Sequence, residues 1–328
     1  MIKTLKFRVF TTALVLVCLT ATIGYFPSVH ADIENVGMLP VDPNLTSPSG
    51  TYRWLDVADQ AYGTDYQASN VYSGATVAVA YSNAGSKFYG TLTASDLKPN
   101  FAYQLKLVGI PGSVGNEQIG FVGRWWREEW NGATWISGQN KNDQDYIDNR
   151  NALYSDSPPV YLYRFTGYLV FDYFITENNG AATLQFETGS SYHVLWKEGQ
   201  DGNYRQEDDG PLKTLTFDPT PSTTYDVDYP ESTVSIFGEW ERLPMGSVNL
   251  APGSYDCQMV LTEESFHGSG GTLAGNWAGA MTANINFQIA PAFTVPEYPL
   301  GALAALGACF AGLLFYKRKS LPHLRNYK

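Results

Sequence analysis

The amino-acid sequence predicts an all-β protein whose strands pack as an antiparallel β-sandwich. Its aromatic content is 14%, with 22 Tyr, 17 Phe and 8 Trp, residue types that fit the pleated, half-buried surface of a sheet. The chain is punctuated by 31 Gly and 18 Pro, which mark frequent turns. Between those turns lie many short runs in which apolar and polar residues alternate, so that one strand face is dry and the other wet. Only 16% of residues are charged, which excludes a disordered chain or a long coiled coil. With 328 residues there is enough chain to bury a core without disulfides or a structural metal.

The first segment, residues 1–31, has the layout of a secretory signal helix. Lys3, Lys6 and Arg8 form a basic head, Ala13 to Val17 an apolar run, and Val29 and Ala31 the small residues of a cleavage site. Cleavage between Ala31 and Asp32 would start the mature chain there, an uncleaved anchor being the alternative reading. Residues 32–50 follow as an extended linker, rich in Pro and Ser toward its end, and Asn44-Leu45-Thr46 within it is the N-x-S/T sequon of the chain. Asn44 is therefore the candidate glycosylation site.

Residues 51–290 form the predicted β-rich outer domain. Alternation places strands at 75–81, 87–94, 103–107, 160–166, 169–175, 182–187, 192–197, 212–217, 233–240, 255–261 and 285–289. Asn178-Asn179-Gly180 reads as a hairpin turn, because Asn and Gly tolerate positive φ. Leu97-Lys98-Pro99-Asn100-Phe101-Ala102-Tyr103 has the spacing of a tyrosine corner, and Leu250, Pro252 and Tyr255 make a shortened relative. In such a corner the Tyr hydroxyl ties down upstream backbone where the chain arches between sheets. The run from Gly90 to Leu105 resembles the immunoglobulin-like and fibronectin-like sandwich modules of prokaryotic surface proteins, which implies an immunoglobulin-like sandwich and no particular activity. The same strands suit one elaborated domain or two smaller ones.

Residues 110–159 interrupt this pattern and read as an insertion. It holds Trp125, Trp126, Trp130 and Trp135, half of the tryptophans. Flat indole faces accept sugar rings, so these four are candidate glycan-stacking residues, with Arg124, Arg127, Glu128 and Glu129 as hydroxyl partners; the competing role is to pin a long insertion to the sheet. Asp143, Asp145 and Asp148 stand at close spacing in a run of acids and amides, and are the candidate calcium ligands, since calcium takes six to eight hard oxygens. The run does not match a calcium-loop motif, and no other cofactor is implied.

Catalysis finds little support. His193 and His267 are the histidines of the outer domain, and neither HExxH nor GxSxG occurs,. The expectation is a protein that is not an enzyme. A carbohydrate-active enzyme is the alternative, because paired carboxylates can come from distant strands; Glu263-Glu264 and Glu239 with Glu241 are the available acids. Cys257 alternates with Tyr255, Met259 and Leu261, which places its sulfur in the core.

The C-terminal end orients the chain. Leu300 to Tyr316 is a charge-free run that suits a transmembrane helix at the short end of the required length. Lys317, Arg318 and Lys319 stop transfer, leaving residues 317–328 as a basic cytoplasmic tail. Within the linker 291–299 stands Pro296-Glu297-Tyr298-Pro299. This order of motif, apolar helix and basic cluster resembles the PEF-CTERM class of archaeal surface proteins, with Tyr298 where the named motif has Phe. The resemblance implies processing by an archaeosortase-type enzyme; an ordinary single-pass anchor is the alternative. Either way the outer domain faces outward from the cell membrane, and envelope structure, adhesion or ligand binding is its expected role, with envelope proteins or glycans as partners. The formal net charge is −11, but residues 32–290 carry 13 basic against 31 acidic side chains. So acidic a domain repels phosphate backbones and is no nucleic-acid binder.

Overall fold

The computed structural model describes residues 32–41, 51–70, 72–188, 194–197, 211, 213–217, 224–226, 232–239, 249–264, 279–291 and 310. These form a mostly antiparallel β-structure. The signal segment, Asn44, the Pro296–Pro299 motif, Lys317 to Lys319, His193 and His267 lie outside them. Among the described residues no helix is long and apolar enough to cross a membrane.

The strands are β1 (Ile33–Pro40), β2 (Thr76–Ser82), β3 (Ala84–Gly85), β4 (Tyr89–Ser95), β5 (Ala102–Gly109), β6 (Arg124–Trp130), β7 (Trp135–Lys141), β8 (Leu153–Asp156), β9 (Pro159–Tyr161), β10 (Tyr163–Ile175), β11 (Ala182–Glu187), β12 (Val194–Lys197), β13 (Lys213–Phe217), β14 (Ser232–Glu239), β15 (Gly253–Glu264) and β16 (Gly279–Ile289). Helices α1 (Thr64–Ser69), α2 (Val114–Val122) and α3 (Asp143–Asn149) lie between them. The main sheet runs in the order β11-β4-β2-β1-β16-β15-β5-β10-β6-β7, with β3 beside β16.

This long ribbon folds back on itself, because the apolar positions of its two halves share one core. Val79 on β2, Leu92 on β4 and Phe186 on β11 are buried together with Leu105, Phe171, Met259 and Ile285 from the other half. Phe171 and Phe186 meet edge to face at 5.1 Å, and Phe88 stacks on Phe287 at 4.2 Å. Cys257 lies in this core, and burial pushes its thiol up to about 12. The face of β5 and β10 that points away from this core we call outer. Part of it is covered by a small sheet, β12-β14-β13, whose Val234 and Ile236 pack on Ala102, Val170 and Tyr173.

Three segments depart from the sequence reading. Residues 32–50 do not begin as a linker: Ile33–Pro40 is a strand that pairs with β2 through Met38 and with β16 through Leu39 and Pro40. Its mostly exposed side chains leave only a weak alternation to read. The 110–159 insertion is no interruption either, since β6 pairs with β10 and β7 with β6, extending the main sheet. Bulky residues at consecutive positions, Trp125-Trp126 and Glu128-Glu129, conceal the period there. Finally, the Asn178-Asn179-Gly180 turn is present, with Gly180 at φ 78, but it closes no hairpin. β5 pairs with β10 up to Ile175 and β6 only as far as Tyr168, and the strand that leaves the turn joins neither flank of β10: β11 pairs with β4.

Both tyrosine hydroxyls hold upstream backbone. Tyr103 accepts from the Lys98 amide at 3.1 Å, and Tyr255 donates to the Ala251 carbonyl at 2.7 Å. Leu97, Pro99 and Leu250 are buried and Pro252 is exposed.

Candidate functional site

Strand β6 sorts the tryptophans by parity. Successive side chains of a strand point to opposite faces, so Trp125 and Trp126 part company. Trp125 is fully buried on the inner face, where its ring stacks on Tyr146 of α3 at 3.6 Å and its Nε1 donates to Asp143 at 3.1 Å. Phe165 and Phe121 meet it edge to face. Gly120 of α2 makes this packing possible, since a Cβ there would stand 2.5 Å from the indole. Trp125 is therefore a core residue and not a stacking platform.

Trp126, Glu128 and Trp130 share the outer face. The ladder brings their partners alongside: Trp126 is opposite Thr166 and Asn140, Glu128 opposite Arg164, and Trp130 opposite Trp135. Trp126 lies against Gly138, where a Cβ would stand 2.3 Å from Nε1. Trp130 and Trp135 meet at 5.4 Å, and the Arg164 guanidinium sits 4.9 Å over the Trp135 ring. Arg164 donates from Nε and from a terminal nitrogen to the two oxygens of Glu128, both at 2.7 Å. Tyr168 donates to Asn140 at 2.8 Å. The three indoles are half-buried, so each is held by its neighbours while part of it meets solvent.

Arg164 and Tyr168 were not legible as site residues. Arg164-x-Thr166-x-Tyr168 is an alternating polar row, but its alignment with Glu128 and Asn140 depends on register. The register of β6 against β7 also shifts between Arg127 and Glu129, which no spacing rule anticipates.

The acidic run takes a different form from a cation loop. Asn142 caps α3, its side chain accepting from the Asp145 amide at 2.9 Å. Asp145 receives Arg127 at 2.7 and 3.0 Å, Asp148 receives Gln144 at 2.8 Å, and Asp143 receives Trp125. The three carboxylates thus serve three separate partners. No group of three or more His, Cys, Asp or Glu side chains that could hold a metal occurs among the described residues.

The adjacent acids Glu263 and Glu264 are likewise separated by strand parity. Glu263 pairs in register with Tyr103 on the inner face and is buried. One carboxylate oxygen accepts from Tyr72 at 2.6 Å, from Arg53 at 3.0 Å and from Lys98 at 2.9 Å. The Lys98 ammonium also donates to the Arg53 carbonyl at 2.6 Å and lies 3.9 Å over the Phe101 ring. Desolvation holds Lys98 down to about 8 despite the carboxylate beside it, and raises the phenols of Tyr72 and Tyr103. Glu264 faces the other way and receives Gln104. The two glutamates therefore do not converge on a common cleft. A hollow of about 400 Å³ at the loop end, lined by Tyr66, Asn70, Asp96, Asn178 and Asn179 among others, presents one ring and is no stacking surface.

Comparison with protein-family profiles, with curated proteins and with solved structures gave no significant match.

Proposed function

We propose that this is an exported, non-catalytic cell-surface protein whose β-rich outer domain binds glycan on the outer face of β6 and β7. The observation that carries the reading is the convergence of Trp126, Trp130 and Trp135 on one face, around the Arg164–Glu128 pair. Indoles supply flat apolar area for sugar rings, and a fixed guanidinium and carboxylate supply donors and acceptors for hydroxyls. We read the outer domain as an elaborated immunoglobulin-like sandwich. Residues 1–31 direct its export, and residues 300–316 anchor it in the membrane, ahead of a sorting step of the PEF-CTERM kind at Pro296–Pro299. Adhesion or attachment to other envelope components follows from such a placement.

A surface enzyme acting through paired carboxylates draws no support from Glu263 and Glu264, whose side chains lie on opposite faces of β15. Glycan-array screening of the full-length chain tests the binding reading: retention on polysaccharide that is lost in a Trp130→Ala, Trp135→Ala double variant supports it, and no retention by the folded parent chain refutes it. Mass spectrometry of the native protein tests the anchor, because an intact Lys328 terminus would rule out cleavage at the motif.

A further inference from the structure

Resting on that reading, we infer that the site takes an internal stretch of a linear, neutral oligosaccharide lying along β6, and not a single terminal sugar. Trp126 and Trp130 are four positions apart on one strand and point to the same side. At about 3.3 Å per residue their Cα atoms stand roughly 13 Å apart, further than one pyranose ring extends. One ring cannot rest on both indoles, but a short chain of rings spans them. Glu128 lies midway between the two tryptophans, and its register partner Arg164 sits beside it. A chain bridging the indoles must pass over this pair.

The pair also sets the charge of the ligand. Each oxygen of Glu128 is engaged by the Arg164 guanidinium, so the centre of the path is electrically balanced. Lone pairs on the carboxylate and the remaining guanidinium hydrogens still serve neutral hydroxyls. A uronic acid or sulfated sugar finds the Arg164 charge already neutralised by Glu128, and would approach a domain with 13 basic and 31 acidic side chains. A cationic sugar meets the mirror problem at Glu128. Trp135 is occupied on one side by Arg164 and on another by Trp130. It therefore buttresses the end of the path and is not itself the first stacking ring.

The test is titration calorimetry of the full-length chain in detergent with cello-, manno- and chito-oligosaccharides of one to six rings. In the series that binds, affinity is expected to be undetectable for the monosaccharide, to rise at least tenfold between two and four rings, and then to level off. Trp126→Ala and Trp130→Ala should each bring the tetrasaccharide down to the level of the disaccharide, while Trp130→Phe retains part of the gain. Near-ultraviolet circular dichroism of each variant establishes that it is folded. Equal affinity for one and six rings would overturn the linear path while leaving glycan binding intact. Tighter binding of a uronic-acid oligomer than of its neutral counterpart would overturn neutrality. Failure of the folded parent chain to bind any member would overturn both the inference and the function on which it rests.

Discussion

The inner and outer faces of the main sheet put the same residue types to opposite uses. On β6, Trp125 goes inward to a stack with Tyr146 while Trp126 goes outward to lie on Gly138. On β15, Glu263 goes inward to three buried donors while Glu264 goes outward to Gln104. Ion pairs divide the same way: Arg53–Glu263 is 8% and 4% exposed, whereas Arg164–Glu128 is 49% and 22% exposed. A buried charge that loses its partner stays buried without compensation, whereas an exposed one regains water. Structural residues are accordingly those whose removal strands a neighbour, and candidate binding residues are those whose neighbours water can serve.

The strongest way to break this contrast is at Glu263. Glu263→Ala leaves the Lys98 and Arg53 charges without their acid, and should cost about 3–5 kcal/mol by chemical denaturation. Close behind, Trp125→Ala should cost about 3–5 kcal/mol through the cavity it opens, and any loss of sugar binding should track the unfolded fraction. On the outer face, Trp130→Ala should change stability by about 1 kcal/mol or less for a side chain that water can reach while bringing tetrasaccharide affinity down to that of the disaccharide. A destabilisation as large as that of Trp125→Ala would erase the distinction between the faces. Smallest of the side-chain effects, Glu128→Gln should cost about 0–1 kcal/mol, and an effect matching Glu263→Ala would again remove the contrast.

A pH series sharpens the comparison at the bulge in β10. Asp172 is pushed up to about 6, chiefly by burial, with its own neighbour's amide at Tyr173 opposing the shift. An acid raised in the folded state binds its proton more tightly there than in the unfolded chain. Its contribution to stability is therefore complete at low pH and lost as pH rises from about 4 through about 6. Asp172→Asn should flatten that part of the stability profile, read from urea midpoints at pH 4, 5, 6 and 7. An unchanged slope would place Asp172 in water. For the α3 carboxylates, each already engaged, EDTA should leave the melting temperature unmoved, and a fall would restore calcium as a ligand of Asp143, Asp145 or Asp148.

Much of the strand content was legible in the sequence, because alternation survives wherever one face is dry. Runs such as Tyr255 to Leu261 and Ile285 to Ile289 fall inside β15 and β16. Pairing was not legible: the Asn-Asn-Gly turn looks like a hairpin, yet the strand it delivers, β11, pairs with β4 and not with β10. The candidate site was legible as a concentration of tryptophan but not as an arrangement. Parity alone parts Trp125 from Trp126, but only the register against β10 decides which of them faces inward and sets Arg164 beside Glu128. The Arg53–Glu263 contact joins residues 210 positions apart, beyond the reach of any local pattern.

Strand β16 has a mechanical consequence. It sits near the middle of the ribbon, bonded to β1 on one flank and to β15 along nearly its whole length on the other. Tension entering at Ile289 and directed along the strand would load the Gly253 to Thr262 ladder in shear, with many backbone bonds yielding together and not one after another. A tension applied at that end would therefore be shared by the whole β15–β16 ladder at once.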